Sequence, residues 1–197
     1  MNSFVCAIRA ETSTPIRLRS YETPTTVQEA DCTIVEAARA TSAASSFFKS
    51  IVIDGQTFVD GATGYNNPVE EALDETRIIW PDSNRHIERF LSIGTGKPGM
   101  RPFGSSLKEL AKTLVKISTE TDQTAERFEK TAVRVHGLSG LYFRFNARGL
   151  ENIGLEDHAS IGRIISATNS YLNEHDTLQK LNAFAAATPC RYNFNTN

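Results

Sequence analysis

Cysteine is scarce in this chain of 197 residues, and long apolar runs are missing from it. The three cysteines, Cys6, Cys32 and Cys190, lie far apart, and none belongs to a C-x-x-C pair. Their number and spacing argue against a disulfide scaffold and a zinc site, so we expect three reduced thiols in an intracellular protein. Because no apolar stretch approaches the roughly 20 residues that cross a bilayer, the sequence predicts no membrane-spanning helix.

An excess of charge of one sign is also missing. The sequence has 21 basic and 23 acidic residues, which give a net charge of −2. Nucleic acid is therefore excluded as the main partner, because phosphate binding requires a concentrated basic surface. The apolar start of the chain is interrupted by Arg9 and has no basic leader, so it lacks the pattern of a signal peptide. We expect a cytoplasmic protein, with any membrane contact peripheral.

Signatures of a metal or nucleotide site are missing as well. Gly94-Thr95-Gly96-Lys97 is not a Walker loop, because Leu91 stands where the first glycine is required and Pro98 follows the lysine. The four histidines are scattered without metal-ligand spacing: His86, His136, His158 and His175. They give little support to a zinc site or a chymotrypsin-like triad, and we expect no metal and no other cofactor.

The first part of the chain carries clear strand, turn and helix signals. Residues 4–8 and 16–19 are rich in strand-forming residues and flank a turn cluster, which predicts a β-hairpin. Thr33 and Glu36 fit a capping box, so a helix with small alanine side chains is expected to begin there. Asp54-Gly55 separates two further strand segments and is a strong signal for a second hairpin.

More helices and strands are expected after the second hairpin. Asn67 is predicted to cap a helix whose first position is Pro68. The remaining patterns predict a strand over residues 89–93, a long amphipathic helix from about residue 105, a strand at residues 142–145 and a final helix over residues 161–172. Strands that alternate with helices indicate an α/β fold, and residues 187–197 are expected to be a loose tail.

The first predicted strand is apolar throughout and begins almost at the first residue. A buried strand needs neighbours on both sides, and no sequence precedes this one. The sequence therefore suggests that the chain starts in the middle of a fold.

Asp60 is the strongest candidate for a reactive residue. It ends a predicted strand and is followed by two small residues, Gly61 and Ala62. Reactive groups of α/β folds lie at such strand ends, and glycine allows another backbone or a substrate to approach closely. The alternative is a turn aspartate that only bonds nearby amides.

Several segments, in order, resemble the patatin-like phospholipase family, and its fungal members in particular. The resemblance covers nearly the whole chain, from residue 3 to about residue 185. An ordered series of motifs is far more specific than a lone Asp-Gly-Ala. The segments that carry it are Phe4-Val5-Cys6-Ala7, residues 38–48, Phe58-Val59-Asp60-Gly61-Ala62, Asn66-Asn67-Pro68-Val69, Leu91-Ser92-Ile93-Gly94-Thr95-Gly96 and residues 119–128.

The resemblance implies a lipid acyl hydrolase of the phospholipase A type, with a serine–aspartate dyad and a lipid or phospholipid ester as substrate. In that family the serine lies on a G-x-S-x-G elbow and a glycine-rich loop supplies the oxyanion hole. Asp60 matches the aspartate that takes the serine's proton, and Gly61, Ala62, Asn66 and Asn67 match the supporting motif. An aspartate with an ordinary pKa of about 3.9 is a weak base, so the site must be partly desolvated.

The chain departs from the family because no G-x-S-x-G occurs in its 197 residues. The nearest approach, residues 137–141, lacks the last glycine and follows Asp60, so we interpret it as a turn. Residues 1–186 are therefore expected to be the C-terminal part of a patatin-like, α/β-hydrolase-related three-layer sandwich that lacks its N-terminal strands. Either the chain is a fragment, inactive alone, or it is a non-catalytic module that binds lipid or protein.

A second candidate surface is basic. Lys108, Lys112 and Lys116 recur every four residues on one face of the predicted long helix. Such a face could touch anionic headgroups, with about 1 kcal/mol from each lysine. The alternative is an ordinary solvated face, balanced by Glu109 and Glu120.

Overall fold

The computed structural model describes residues 2–23, 30–44, 47–82, 87–96, 108–150, 153 and 157–186. The strands are β1 (Phe4–Arg9), β2 (Thr14–Arg19), β3 (Ile51–Ile53), β4 (Gln56–Asp60), β5 (Phe90–Ile93) and β6 (Tyr142–Phe145). The helices are α1 (Ile34–Thr41), α2 (Ala62–Tyr65), α3 (Val69–Ile79), α4 (Lys108–Arg134), α5 (Ile161–Leu172) and α6 (His175–Ala186). The predicted α/β class is confirmed.

The chain divides into two compact units, Met1–Pro81 with Gly104–Glu126, and Asp82–Phe103 with Arg127–Asn197. Among the helices described, none is both long enough and apolar enough to cross a membrane. The predicted loose tail, Cys190 and His86 lie outside the described residues.

The first unit is built on a four-stranded antiparallel sheet with the order β2-β1-β4-β3. Both predicted hairpins are confirmed. In the second, Asp54 and Gly55 have φ angles of 48° and 74°, the positive values that a two-residue type I′ turn requires. β1 pairs with β2 on one side and with β4 on the other. The argument that the first strand lacks a neighbour is therefore wrong, because a later strand returns to its free edge.

One face of this sheet is apolar and is covered by α1. Phe58 and Ala7 are fully buried there with Ile16 and Leu18, and Ala40 of α1 packs against them. The predicted capping box starts this helix: the Thr33 backbone N–H donates to Glu36 Oε2 at 2.8 Å, and the Glu36 N–H donates to Thr33 Oγ1 at 3.3 Å. The small side chains of α1 allow this close packing, as the sequence predicts.

On the opposite face of the sheet, charged side chains of β2 form ionic contacts with α3. Arg17 and Arg19 alternate along β2 with its buried apolar residues, so they lie on the other side of the sheet. Arg19 donates two hydrogen bonds to Glu75 of α3, from Nε to Oε2 at 2.8 Å and from Nη2 to Oε1 at 2.7 Å. Arg17 Nη1 lies 3.0 Å from the same Oε1, and the Tyr21 hydroxyl donates to Oε2 at 2.5 Å. Glu75 is only 2% exposed, so this is a buried ionic contact.

The start of α3 differs from the prediction. The helix begins at Val69, its N-cap residue is Pro68, and no side chain caps it. The predicted Asn67 cap is therefore wrong. The helix starts one residue later than predicted, so Asn67 precedes the N-cap position, where its side chain is buried and makes no cap hydrogen bond.

The second unit contains a parallel pair, β5 and β6, between aromatic layers. Phe90 and Tyr142 pack with Phe128 of α4 on one face, with ring centroids 4.9 to 6.2 Å apart. Phe143 packs on Phe184 of α6 on the other face, at 5.3 Å. Both strands and α5 are confirmed, whereas the apolar pattern does not predict α6.

Candidate active site

Asp60 lies at the end of β4, an interior strand of the first sheet. It faces Ala7 of β1 across the ladder and shares a side of the sheet with Phe58, the side that α1 covers. Its backbone N–H donates to the carbonyl of Ala43, just beyond the C-terminal end of α1, at 3.1 Å. Asp60 is therefore fixed by a neighbouring strand and by the end of a helix, and it does not lie on an outer edge of the sheet.

The Asp60 carboxylate has one hydrogen bond within the described residues. Its Oδ1 atom accepts the backbone N–H of Ala62 at 2.9 Å, which fixes the direction of the side chain. The described residues place no arginine or lysine in an ion pair with it. The Oδ2 atom is left as an acceptor for a group that approaches from outside.

Burial raises the pKa of Asp60 above its ordinary value, and the hydrogen bond from Ala62 offsets part of this rise. The carboxylate is half-buried, so it has lost some of the water that stabilises its charge. A carboxylate in this condition accepts a proton more readily than an exposed one.

Gly61 is required by close packing. A β-carbon at this position would lie 2.7 Å from the carbonyl oxygen of Cys6 and 2.9 Å from its carbonyl carbon. These are backbone atoms and cannot move aside as the end of a long side chain can. The same Cys6 oxygen accepts the Thr41 hydroxyl at 2.7 Å, so β1, α1 and the turn after Asp60 meet at one carbonyl.

The two asparagines of the predicted site behave differently. Asn66 donates from Nδ2 to the hydroxyl of Thr121 in α4, at 2.9 Å, so this amide bonds α4 and not the Asp60 turn. Asn67 is 6% exposed, and its Nδ2 atom has no hydrogen-bond partner in the described part of the chain. A buried donor without a partner costs about 1–3 kcal/mol, so the Asn67 amide is held at an energetic cost.

The other candidate positions lie away from this turn in the sequence. The side chains of Lys108, Lys112 and Lys116 fall outside the described residues, although their backbone belongs to α4.

Gly94 and Gly96 follow β5 in the second unit, where the Gly96 N–H donates to Asn146 Oδ1 at 2.8 Å. Residues 137–141 form a turn, as predicted, with positive φ angles at both of its glycines. No group of metal-binding side chains is found among the described residues.

Thr41, Ala43 and Cys6 are site-supporting residues that the sequence analysis misses. Thr41 and Cys6 are 35 positions apart and act through a backbone carbonyl. No periodicity or capping pattern signals such a contact. All three residues lie in segments that resemble the family, and that resemblance was the available clue.

Comparisons with known proteins relate this part of the chain to a family. The family model named "Patatin-like phospholipase" matches residues 4–73, a stretch that holds both hairpins, α1 and the Asp60 turn. Mouse calcium-independent phospholipase A2-gamma is 35% identical over 126 residues, which are 62% of this chain and 15% of that protein. The rat protein of the same name is 30% identical over 151 residues, 74% of this chain and 19% of its own. Phospholipase A I of Arabidopsis thaliana is 28% identical over 113 residues, 56% of this chain and 8% of its own. The matched segment thus spans less than a fifth of each of these relatives.

Proposed function

Since this chain carries a patatin-like phospholipase segment, we propose that it contributes the proton-accepting aspartate, Asp60, to a lipid acyl hydrolase of the phospholipase A type. The observation that carries the proposal is the state of the Asp60 carboxylate. It lies on an interior strand, is half-buried, is oriented by the Ala62 N–H and keeps one oxygen for a further partner. The names of the relatives, which are phospholipases, suggest the substrate class.

The proposed chemistry is acyl transfer through a serine. The Asp60 carboxylate takes the proton of the serine hydroxyl as the serine oxygen attacks the ester carbonyl. The protonated Asp60 then gives this proton to the departing alcohol, which leaves an acyl-serine. In the second half, water attacks the acyl carbonyl and loses a proton to Asp60. The bond to the serine oxygen then breaks, Asp60 returns the proton to that oxygen, and the carboxylic acid leaves. A carboxylate whose pKa is raised by burial is suited to both directions of this proton transfer.

The nucleophile in this proposal comes from polypeptide outside these 197 residues, which contain no G-x-S-x-G. Gly61 would allow the turn to pack against the Cys6 carbonyl, and the Ala62 N–H would orient the carboxylate. Asn66 would join the segment after the turn to α4, and the unpaired buried amide of Asn67 would be free to donate to the polypeptide that carries the serine.

The test joins this chain to a polypeptide that carries the family's serine elbow and glycine-rich loop. We expect no hydrolysis of a short-chain p-nitrophenyl ester by the chain alone, and hydrolysis by the joined protein. Asp60→Asn should then lower kcat by about 10²–10⁴-fold, the range of general acid–base catalysis.

Asp54→Asn is the matched control, because Asp54 is an exposed aspartate of the same hairpin and its positive φ suits asparagine. It should leave the rate unchanged. Hydrolysis by the chain alone, or full activity of joined Asp60→Asn, would contradict the proposal.

The second candidate is a non-catalytic lipid-binding or protein-interaction module, and the absence of the serine elbow from the chain favours it. On this hypothesis, peripheral membrane contact runs through Lys108, Lys112 and Lys116 of α4. Changing all three to glutamate should then abolish co-sedimentation with anionic liposomes. Retained co-sedimentation would exclude the lysine face.

A further inference from the structure

The ladder between β1 and β4 ends at Asp60, one residue before a rung that its register allows. The Ala10 N–H donates to the Thr57 carbonyl at 2.9 Å, which marks a hydrogen-bonded rung of this antiparallel pair. Such rungs recur at every second residue along each strand. The next rung beyond Asp60 would therefore join the Gly61 N–H to the Cys6 carbonyl.

The Cys6 carbonyl accepts a side chain from α1. The Thr41 hydroxyl, at the C-terminal end of this helix, donates to the Cys6 oxygen at 2.7 Å. Gly61 packs against the same oxygen so closely that a β-carbon there would lie 2.7 Å from it. One carbonyl thus contacts both the Thr41 hydroxyl and the first residue of the turn that follows Asp60.

The same end of α1 also bonds β4. The carbonyl of Ala43, which is fully buried, accepts the Asp60 N–H at 3.1 Å. Between these two contacts, the Ser42 hydroxyl donates to the Ala38 carbonyl of its own helix at 2.7 Å. Residues 41–43 therefore bond β1 through the Thr41 side chain and β4 through the Ala43 backbone, where the two strands part.

We infer that Thr41 is a positioning residue for Asp60. Its hydroxyl holds the Cys6 carbonyl, so the ladder ends there and the chain turns at Gly61. This turn brings the Ala62 N–H to 2.9 Å from Asp60 Oδ1 and so orients the carboxylate. Without the hydroxyl, the Cys6 carbonyl would be available to the Gly61 N–H, and the ladder would grow by one rung at the expense of the turn. The inference rests on the proposed function for its consequence in catalysis.

The alternative role for the Thr41 hydroxyl is purely structural. It would then do no more than satisfy a buried carbonyl, and its loss would lower the stability of the whole sheet. A positioning hydroxyl acts first on the turn that contains Asp60 and Ala62. The two roles therefore differ in which backbone amides become less protected when the hydroxyl is removed.

Amide hydrogen exchange of the purified 197-residue chain, followed by NMR, separates the two roles. Thr41→Val removes the hydroxyl and keeps the branched shape of the side chain. The amides of Asp60 and Ala62 should then exchange about tenfold faster relative to the amides of β2, because one buried hydrogen bond is lost. Thr41→Ser keeps the hydroxyl and should restore the parent rates.

Thr76→Val is the matched control, because the Thr76 hydroxyl also donates to a backbone carbonyl, that of Ala72 within α3, at 2.7 Å. It should leave the exchange ratio unchanged. Thr41→Ala is the second variant, since it leaves room for water at the Cys6 carbonyl and should raise the ratio by a smaller factor. Equal acceleration in β2 and in the turn, or none in the turn, would overturn the inference.

The joined protein supplies the catalytic readout. Thr41→Val should lower kcat by about 10- to 100-fold with little change in KM, because a misplaced base costs rate and leaves ester binding intact. Thr41→Ser should retain the parent kcat. An unchanged kcat in Thr41→Val beside a loss in Asp60→Asn would overturn the inference and preserve the proposed function. Full activity of Asp60→Asn would contradict the proposed function, while the exchange rates would still decide what holds the turn.

Discussion

Two carboxylates lie on opposite faces of the same four-stranded sheet, and their surroundings differ in every respect. Glu75, on the α3 face, accepts hydrogen bonds from Arg19 and Tyr21 and forms an ion pair with Arg17. Burial alone would raise the pKa of Glu75, but these partners outweigh it and lower the pKa below the ordinary value. Asp60, on the α1 face, has a single backbone N–H, and burial raises its pKa.

Under the proposed function, Glu75 is a structural carboxylate and Asp60 is the reactive one. The charge of Glu75 is stabilised by partners within the chain, so its affinity for a proton is lowered. Asp60 is half-buried and has no ion-pair partner among the described residues, so its pKa is raised above the ordinary value. Burial of a carboxylate is therefore uninformative by itself, and the number and charge of its partners decide its role.

The largest expected difference between the two carboxylates is in their effect on the free energy of unfolding. Glu75→Ala should lower the free energy of unfolding by about 3–5 kcal/mol, because it leaves the buried charges of Arg17 and Arg19 without their partner. Asp60→Asn should leave the free energy unchanged or raise it slightly, because it removes a desolvated charge. Urea unfolding of both variants measures this. Equal destabilisation by the two would erase the distinction.

A smaller effect is expected at the packed turn next to Asp60. Gly61→Ala should cost about 1–3 kcal/mol, because the new methyl group would meet the Cys6 carbonyl. Gly162→Ala, in α5, is the control: its β-carbon meets open space, and alanine should stabilise the helix by up to about 1 kcal/mol. Thermal unfolding compares the two. A neutral Gly61→Ala would show that the turn can relax and does not fix Asp60.

The smallest effect is the pH dependence of stability. The lowered pKa of Glu75 means that the unfolded state binds more protons there, so its contribution is complete above about pH 4.5 and is lost as pH falls below it. Asp60 acts in the opposite sense: its charge costs stability above its raised folded pKa, and this cost is relieved as pH falls towards 3.8. Melting temperatures measured between pH 3 and pH 6 should fall less steeply for Glu75→Gln than for the parent chain. If the melting temperature of Glu75→Gln falls with pH as steeply as that of the parent chain, the role given to Glu75 is contradicted.

The sequence predicts the features that are encoded locally. The Thr33 capping box, the Asp54-Gly55 turn and the position of Asp60 at a strand end all depend on residues within a few positions of one another. Their geometry follows from backbone preferences that tertiary packing did not override.

The features that the sequence misses depend on distant contacts. Glu75 looks like an ordinary helix-surface residue until β2 is packed beneath it, 56 positions away from Arg19. The neighbours of β1 require the return of β4. Asp60 could be located from the strand end and the family motif, and the resemblance implied a partly desolvated site. The sequence alone could not show that burial, because it is a property of the assembled sheet.

The account rests on Asp60 being a carboxylate that burial has prepared to take a proton. Carboxyl-carbon NMR titration of the 197-residue chain tests this most directly, with Asp60→Asn and Glu75→Gln identifying the two resonances. Asp60 should titrate above its ordinary value of 3.8 and Glu75 below its ordinary value of 4.5. An Asp60 resonance that titrates at or below 3.8 would contradict the account, because such a carboxylate would be an ordinary solvated turn residue.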